Sequence, residues 1–326
     1  MDKKELENFY RRVFFTSVSG ITLASLLHFI NPMILCIFPL IITLEMKKYD
    51  FKELFLKIKI ICLGLYIGML NGQIFEGYPF LQSIAVYALF ITVLKLFAHK
   101  YNCGNALMFT VTFSLASVFG SYIESSYEIL VYQYWFQILW VFALVTFAFV
   151  LFPSKIKSSE PLSCEAANMT NKEILFYALI LLVIWECFMF FELRFAFFPY
   201  IIILTLFMDF DIKKAKFKAK ENIKAYTKGC IITSFFSLLI FGMNGNIFLL
   251  ILGLILIFIP IVKRGIYPDH PKKTYHNMKM LTGIMIPLTF YLSTDGAALY
   301  KSTLRAFLLS GAMLFMIFIF GLFQKN

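Results

Sequence analysis

The chain has 326 residues, 60% of them hydrophobic and 15% charged, and its 30 Lys and Arg against 19 Asp and Glu leave a formal charge of +11. A soluble globular chain carries about a quarter of charged residues, so this composition excludes one. The apolar runs are continuous rather than alternating, which excludes a β-barrel. The basic residues sit in short stretches between those runs, which places them at a lipid headgroup surface and not on nucleic acid. The expected fold class is an all-α polytopic membrane protein.

About 20 apolar residues cross a bilayer as a helix. By that measure the sequence predicts spans near 9–30, 33–46, 58–76, 79–97, 104–121, 131–152, 173–191, 194–208, 229–243, 246–262, 280–293 and 305–323. The first is too long for the apolar core of a cleavable signal and lacks a small-residue cleavage site. Two spans, 33–46 and 280–293, are short enough to be half-buried. With the N-terminus inside, 27 of the 30 Lys and Arg fall on the cytoplasmic side, and Arg194, Lys301 and Arg305 fall outside. One missed span would invert every later loop and destroy that bias. The expectation is therefore about 12 transmembrane helices with both termini in the cytoplasm of a bacterial inner membrane. Cys36, Cys62, Cys187 and Cys230 lie in spans, while Cys103 and Cys164 fall on the cytoplasmic side, where no disulfide is expected.

Two stretches repeat. From Phe38 the chain reads FPLIITLEMKKYDFKELFLKIK and reaches NGQIF at 71–75; from Phe198 it reads FPYIIILTLFMDFDIKKAKFKAKENIKAYTKG and reaches NGNIF at 244–248. The displacement is 160 residues between Pro39 and Pro199 and 173 between Asn71 and Asn244. This reads as an internal duplication. The first six-helix repeat covers 1–152, a cytoplasmic linker 153–172, and the second repeat 173–326. Six spans per half make the repeats parallel.

The basic segment of each half reads as a short amphipathic helix on the membrane surface. In the first, Asp50 caps, Glu53 stands three residues on, and Phe51, Leu54, Phe55 and Ile58 share a face. In the second, Ala215, Ala219, Ile223 and Tyr226 share a face, and Lys213, Lys214, Lys216, Lys218 and Lys220 fan toward anionic lipid.

The sequence holds no phosphate-binding loop, no His-Glu-x-x-His and no Cys-x-x-Cys, so neither an enzyme, a metal site nor a cofactor is expected. Charges inside spans are costly and need a partner or water. Glu186, in the seventh span, reads as a proton-coupling acid, with a structural ion pair as its alternative. Arg305, Lys301 and Arg194, at the outer side, read as an anion-binding group, since the guanidinium fork suits a carboxylate. Their alternative is pairing with outer-side acids. Pro39 and Pro199 read as helix breaks in corresponding spans, a feature that points toward a substrate path.

Several segments together resemble the fusaric-acid-resistance-like (FUSC-like) and aromatic acid exporter superfamily, in its short bacterial inner-membrane members. They are YRRVFFTSVSGITLASLL at the start, the Phe-Pro second helix, the basic segment leading to a glycine-bearing third helix, LFP at 151–153, and ALYKSTLRAFLLSGA before the last span. The resemblance implies export of aromatic or other weak organic acids, often with a periplasmic adaptor of the membrane-fusion type, and is compatible with a homo-oligomer. The chain departs from long members in lacking their large cytoplasmic domain. Its first half has no counterpart of Arg305, carrying Gln133 and Gln137 instead. The alternative function is a non-transporting scaffold or assembly subunit of an envelope complex.

Overall fold

The computed structural model describes residues 3–29, 32–46, 48–75, 77–98, 103–122, 127–154, 171–190, 212–241, 247–266, 276–277, 279–285 and 288. Among the described residues there are helices and turns and no strand. In chain order the helices are α1 Lys3–Leu27, α2 Met33–Glu45, α3 Phe51–Ile74, α4 Pro79–Ala98, α5 Cys103–Tyr122, α6 Tyr127–Leu151, α7 Asn171–Phe190, α8 Ile212–Phe241 and α9 Ile247–Ile266. Residues 279–285 are helical as well. Residues 79–96, 131–151 and 247–264 are long and apolar enough to cross a membrane, and Met33–Glu45 and Gly104–Val118 are shorter apolar stretches. Helices of this length and apolarity mark the chain as a helical membrane protein. The expected spans at 194–208 and 305–323 lie outside the described residues.

The basic segments are not separate surface helices, which corrects the sequence expectation. Asp50 does cap α3: the Lys52 N–H donates to Asp50 Oδ1 at 2.8 Å and the Leu54 N–H to the Asp50 carbonyl at 2.9 Å. From there the helix runs 24 residues without interruption. Phe51 and Phe55 are 56% and 57% exposed, while Leu54 and Lys57 are buried. The second basic segment likewise opens a single 30-residue helix, α8. The physical reason is that neither segment contains a proline. In lipid, backbone groups have no water to turn to, so a helix once started continues.

The chain forms two compact units. Unit 1 comprises Met1–Leu54, Val131–Ser159 and Lys220–Ser310. Within it α1 packs against α2 and α9. α1 ends where His28 turns left-handed, with φ at 47°. α2 is buried along nearly its whole length. It runs through Pro39 without ending there. Proline has no N–H to give the Leu35 carbonyl. That carbonyl instead faces Gly20 of α1, where an added Cβ would stand 2.8 Å from it. The Leu35 N–H, one of the orphan donors of a helix start, donates to Gln137 Oε1 of α6 at 3.2 Å, and Gln137 is wholly buried. On α9, Leu250, Leu254, Phe258, Ile261 and Val262 form the buried stripe, while Phe248, Leu252 and Leu256 stand exposed, as on a helix facing lipid.

Unit 2 comprises Phe55–Leu130, Glu160–Ala219 and Gly311–Asn326. Within it α4 packs on α7 and on α5, and α5 touches α7. α5 is the core helix, buried continuously from Met108 to Val118. It carries Thr110, Thr112, Ser114 and Ser117 into that interior. Thr110 and Thr112 return their hydroxyls to the carbonyls four residues back, at 2.8 Å each, so they cost the helix little. α3 closes on α5 through Gly64 and Gly68, whose missing side chains admit Phe109, Thr112, Phe113 and Ala116. Small residues at such contacts are what helix packing in lipid favours, because backbone approach replaces the hydrophobic drive.

Candidate functional site

Unit 2 gathers polar side chains at one end. α3 and α5 run parallel, since Gly64 meets Phe109 and Gly68 meets Phe113. The same register brings Asn71 Nδ2 to donate to Ser117 Oγ at 3.0 Å, and both residues are buried. α4 and α7 run antiparallel: Ser83, in the opening turns of α4, donates to Glu186 near the end of α7, and Tyr87 reaches back to the Leu175 carbonyl at 3.2 Å. Asn71, Ser83, Ser117 and Glu186 each lie within about two turns of a helix terminus at that end. Ser83 Oγ also approaches the Pro79 carbonyl at 2.9 Å, which ties the serine to the α4 start. The positive end of the α4 dipole therefore faces a carboxyl group that is half-buried among apolar helices. Trp185, next to Glu186, is 1% exposed, and its Nε1 has no acceptor among the described residues.

Unit 1 carries a polar clamp of a different kind. Glu5, Asn8 and Arg12 share one face of α1. Ser154 Oγ donates to Glu5 Oε1 at 2.6 Å, Asn8 Nδ2 to the Pro153 carbonyl at 2.9 Å, and Arg12 Nη1 to the Phe152 carbonyl at 2.8 Å. The Arg12 guanidinium also lies 4.6 Å from the Phe149 ring centroid and 5.8 Å from that of Phe9. Arg12 is 1% exposed. The clamp holds the C-terminal end of α6, where a cation meets the negative end of the helix dipole.

On α8 a second cluster stands outside the apolar part. Glu221 Oε1 is 3.3 Å from Lys224 Nζ, and Glu221 Oε2 is 3.4 Å from His276 Nδ1. Burial, reinforced by Lys228 and Lys224, holds the His276 pKa below its ordinary value against the pull of Glu221. Further along, Gly229 meets the backbone of Gly283, and Thr233 donates to the Ile284 carbonyl at 3.4 Å.

Of the residues singled out from sequence, the structure places Glu186 beside Ser83 and Pro39 inside α2. Arg194, Pro199, Lys301 and Arg305 lie outside the described residues. Lys213, Lys214, Lys216, Lys218 and Lys220 belong to α8, and their side chains lie outside the described part. Sequence reasoning missed Ser83, the Asn71–Ser117 bond and the burial of Arg12. A serine in a helix's opening turns carries no distinguishing signal, and Arg12 looked like any inner-side positive charge.

The fold and these sites define a class: an all-helical membrane protein with a half-buried acid and no metal-ligating cluster among the described residues. A family model described as Protein of unknown function (DUF2955) matches residues 11–149, from the opening turns of α1 to the end of α6. No curated protein and no solved structure matches the chain.

Proposed function

We propose that the protein is a secondary, proton-driven exporter of small organic anions, such as aromatic acids, in a bacterial inner membrane. The observation that carries this reading is Glu186, a carboxyl half-buried in apolar α7 and hydrogen-bonded by the hydroxyl of Ser83. Acids inside membrane helices are costly and mark ion or substrate paths. In this reading the chain has twelve spans in two parallel repeats with both termini cytoplasmic. Arg305, with Lys301 and Arg194, holds the exported anion at the outer side. Proton entry at Glu186 drives release. Pro39 and Pro199 mark the two helices beside the substrate path. The lysines of α8 hold anionic lipid, and a periplasmic adaptor of the membrane-fusion type receives the cargo. The resemblance to the FUSC-like exporters points the same way.

The test is uptake of labelled benzoate into inverted membrane vesicles under an imposed proton gradient. Wild-type vesicles should accumulate benzoate in proportion to the gradient, and Glu186→Gln vesicles should not. Equal accumulation by vesicles with and without the protein would reject export of this class.

A further inference from the structure

The two halves of the chain match one another in burial more closely than in sequence. Six buried positions of α3, Lys57, Ile61, Gly64, Leu65, Gly68 and Asn71, correspond to buried positions of α8, Asn222, Tyr226, Gly229, Cys230, Thr233 and Phe236, while Met69 and Ala225 are buried without a buried counterpart. Each pair is displaced by 165 residues. The register carries chemistry as well as burial. Gly64 and Gly229 coincide, and each is the point where a neighbouring helix comes too close for a Cβ. Gly68 faces the Phe113 carbonyl where Thr233 donates to the Ile284 carbonyl. The compact units divide at the same place, after Leu54 in α3 and after Ala219 in α8, again 165 apart.

The same comparison extends to other helices. On α7 the buried stripe is Ile174, Ala178, Leu181 and Trp185; displaced by 161, these fall on Val13, Ser17, Gly20 and Ala24 of α1, which are buried along with Glu5, Arg12, Thr16 and Ile21. On α4 the buried stripe is Val86, Phe90, Val93 and Leu94; displaced by 168, these fall on Leu254, Phe258, Ile261 and Val262 of α9, which are buried along with Leu250. Contacts follow suit. α7 packs on α4 in unit 2, and α1 packs on α9 in unit 1. Each unit thus combines the first helix of one half with the fourth helix of the other. In this register Glu186 corresponds to Ser25 on α1, and Ser83 to Ile251 on α9. All four positions are half-buried, so environment is matched while chemistry is not.

We propose that Glu186 and Ser83 form a proton-binding site in one copy of an interleaved duplication, whose corresponding positions in the other copy, Ser25 and Ile251, carry no ionisable group. At this helix pair unit 2 then presents a carboxyl and unit 1 does not. The duplication and the site rest on burial and contacts; their use in coupling rests on the transport reading above.

Two measurements on the full-length protein separate these. Infrared difference spectra across a pH titration should show a carboxyl band that disappears in Glu186→Gln. The band should return when Ser25→Glu and Ile251→Ser are added to that variant. An undiminished band in Glu186→Gln, or a monodisperse triple variant without one, overturns the proposal. The second measurement covers variants that fail to fold. With the six native cysteines replaced by serine and a protease site placed in the 153–170 linker, two cysteine pairs are introduced separately, Ser83→Cys with Glu186→Cys and Ser25→Cys with Ile251→Cys. Both should cross-link the two halves across the cut. A link in the first pair without one in the second overturns the correspondence. If both measurements succeed and wild-type vesicles still take up no benzoate, export fails and the proton-binding site stands.

Discussion

Arg12 donates to the carbonyl oxygen of Phe152 at 2.8 Å, joining the opening turns of α1 to the residue that follows α6, 140 positions away. Because Arg12 is almost fully buried and stacks on Phe149, its contribution is both a charged hydrogen bond and packing area. Arg12→Ala leaves the Phe152 carbonyl and the buried Glu5 without that cation. The expected loss is about 1.5–3 kcal/mol, the range for hydrogen bonds to charged groups. Arg12→Lys should recover part of it, since a point charge keeps the attraction but not the planar stacking. Thermal unfolding in detergent reads the effect. A melting temperature for Arg12→Ala within error of wild type would show the clamp to be ornamental.

At Gly64 and Gly229 the packing leaves no room for a methyl group. A Cβ on Gly64 would stand 2.7 Å from the Phe109 carbonyl oxygen, and one on Gly229 would stand 2.8 Å from the Gly283 carbonyl carbon. Both obstacles are backbone, so a helix must shift. Each Ala substitution should destabilise by about 1–3 kcal/mol, the usual cost of overpacking a filled interior. Similar losses at the two positions are expected from the matched registers of α3 and α8. Loss at one with none at the other would speak against that match.

The His276 imidazole has its pKa held below the ordinary value by burial and by Lys228 and Lys224. An unfolded chain then binds this proton more readily than the folded one. Stability is unaffected above the unfolded value of about 6.5 and falls as pH drops from there toward the folded value. Replacing His276 with Gln should flatten that part of the stability profile. Glu221→Gln removes the carboxylate that favours the imidazolium, so it should steepen the fall. A wild-type profile flat below pH 6.5 would contradict both.

Topology is testable without reference to activity. The distribution of Lys and Arg predicts 156–168 in the cytoplasm and 124–127 outside. Short tags inserted there should be reachable from opposite faces of the membrane. Labelling of both from one face would remove the twelve-span arrangement.

Sequence alone settled the class of protein and the extent of most described helices, because continuous apolar runs in lipid have only one way to satisfy their backbone. It also fixed the start of α3, since Asp50 acts through its own neighbours. It located Glu186 as an acid in an apolar helix, because such a residue stands out against its surroundings. It could not find Ser83 as its partner, which is 103 positions distant and belongs to the other half of the chain. Nor could it tell that Arg12 is buried while Arg11 is exposed and paired with Glu7 at 2.6 Å, a difference made by which face of α1 meets other helices. The repeat register read from sequence motifs differs from the one proposed from burial. Motif matching paired Asn71 with Asn244, whereas the buried positions of α3 and α8 set Asn71 opposite Phe236. In a chain with 40 Phe, side-chain identity drifts freely wherever lipid accepts any apolar group. What cannot drift is the spacing at which one helix backbone touches the next, and only the tertiary structure displays that.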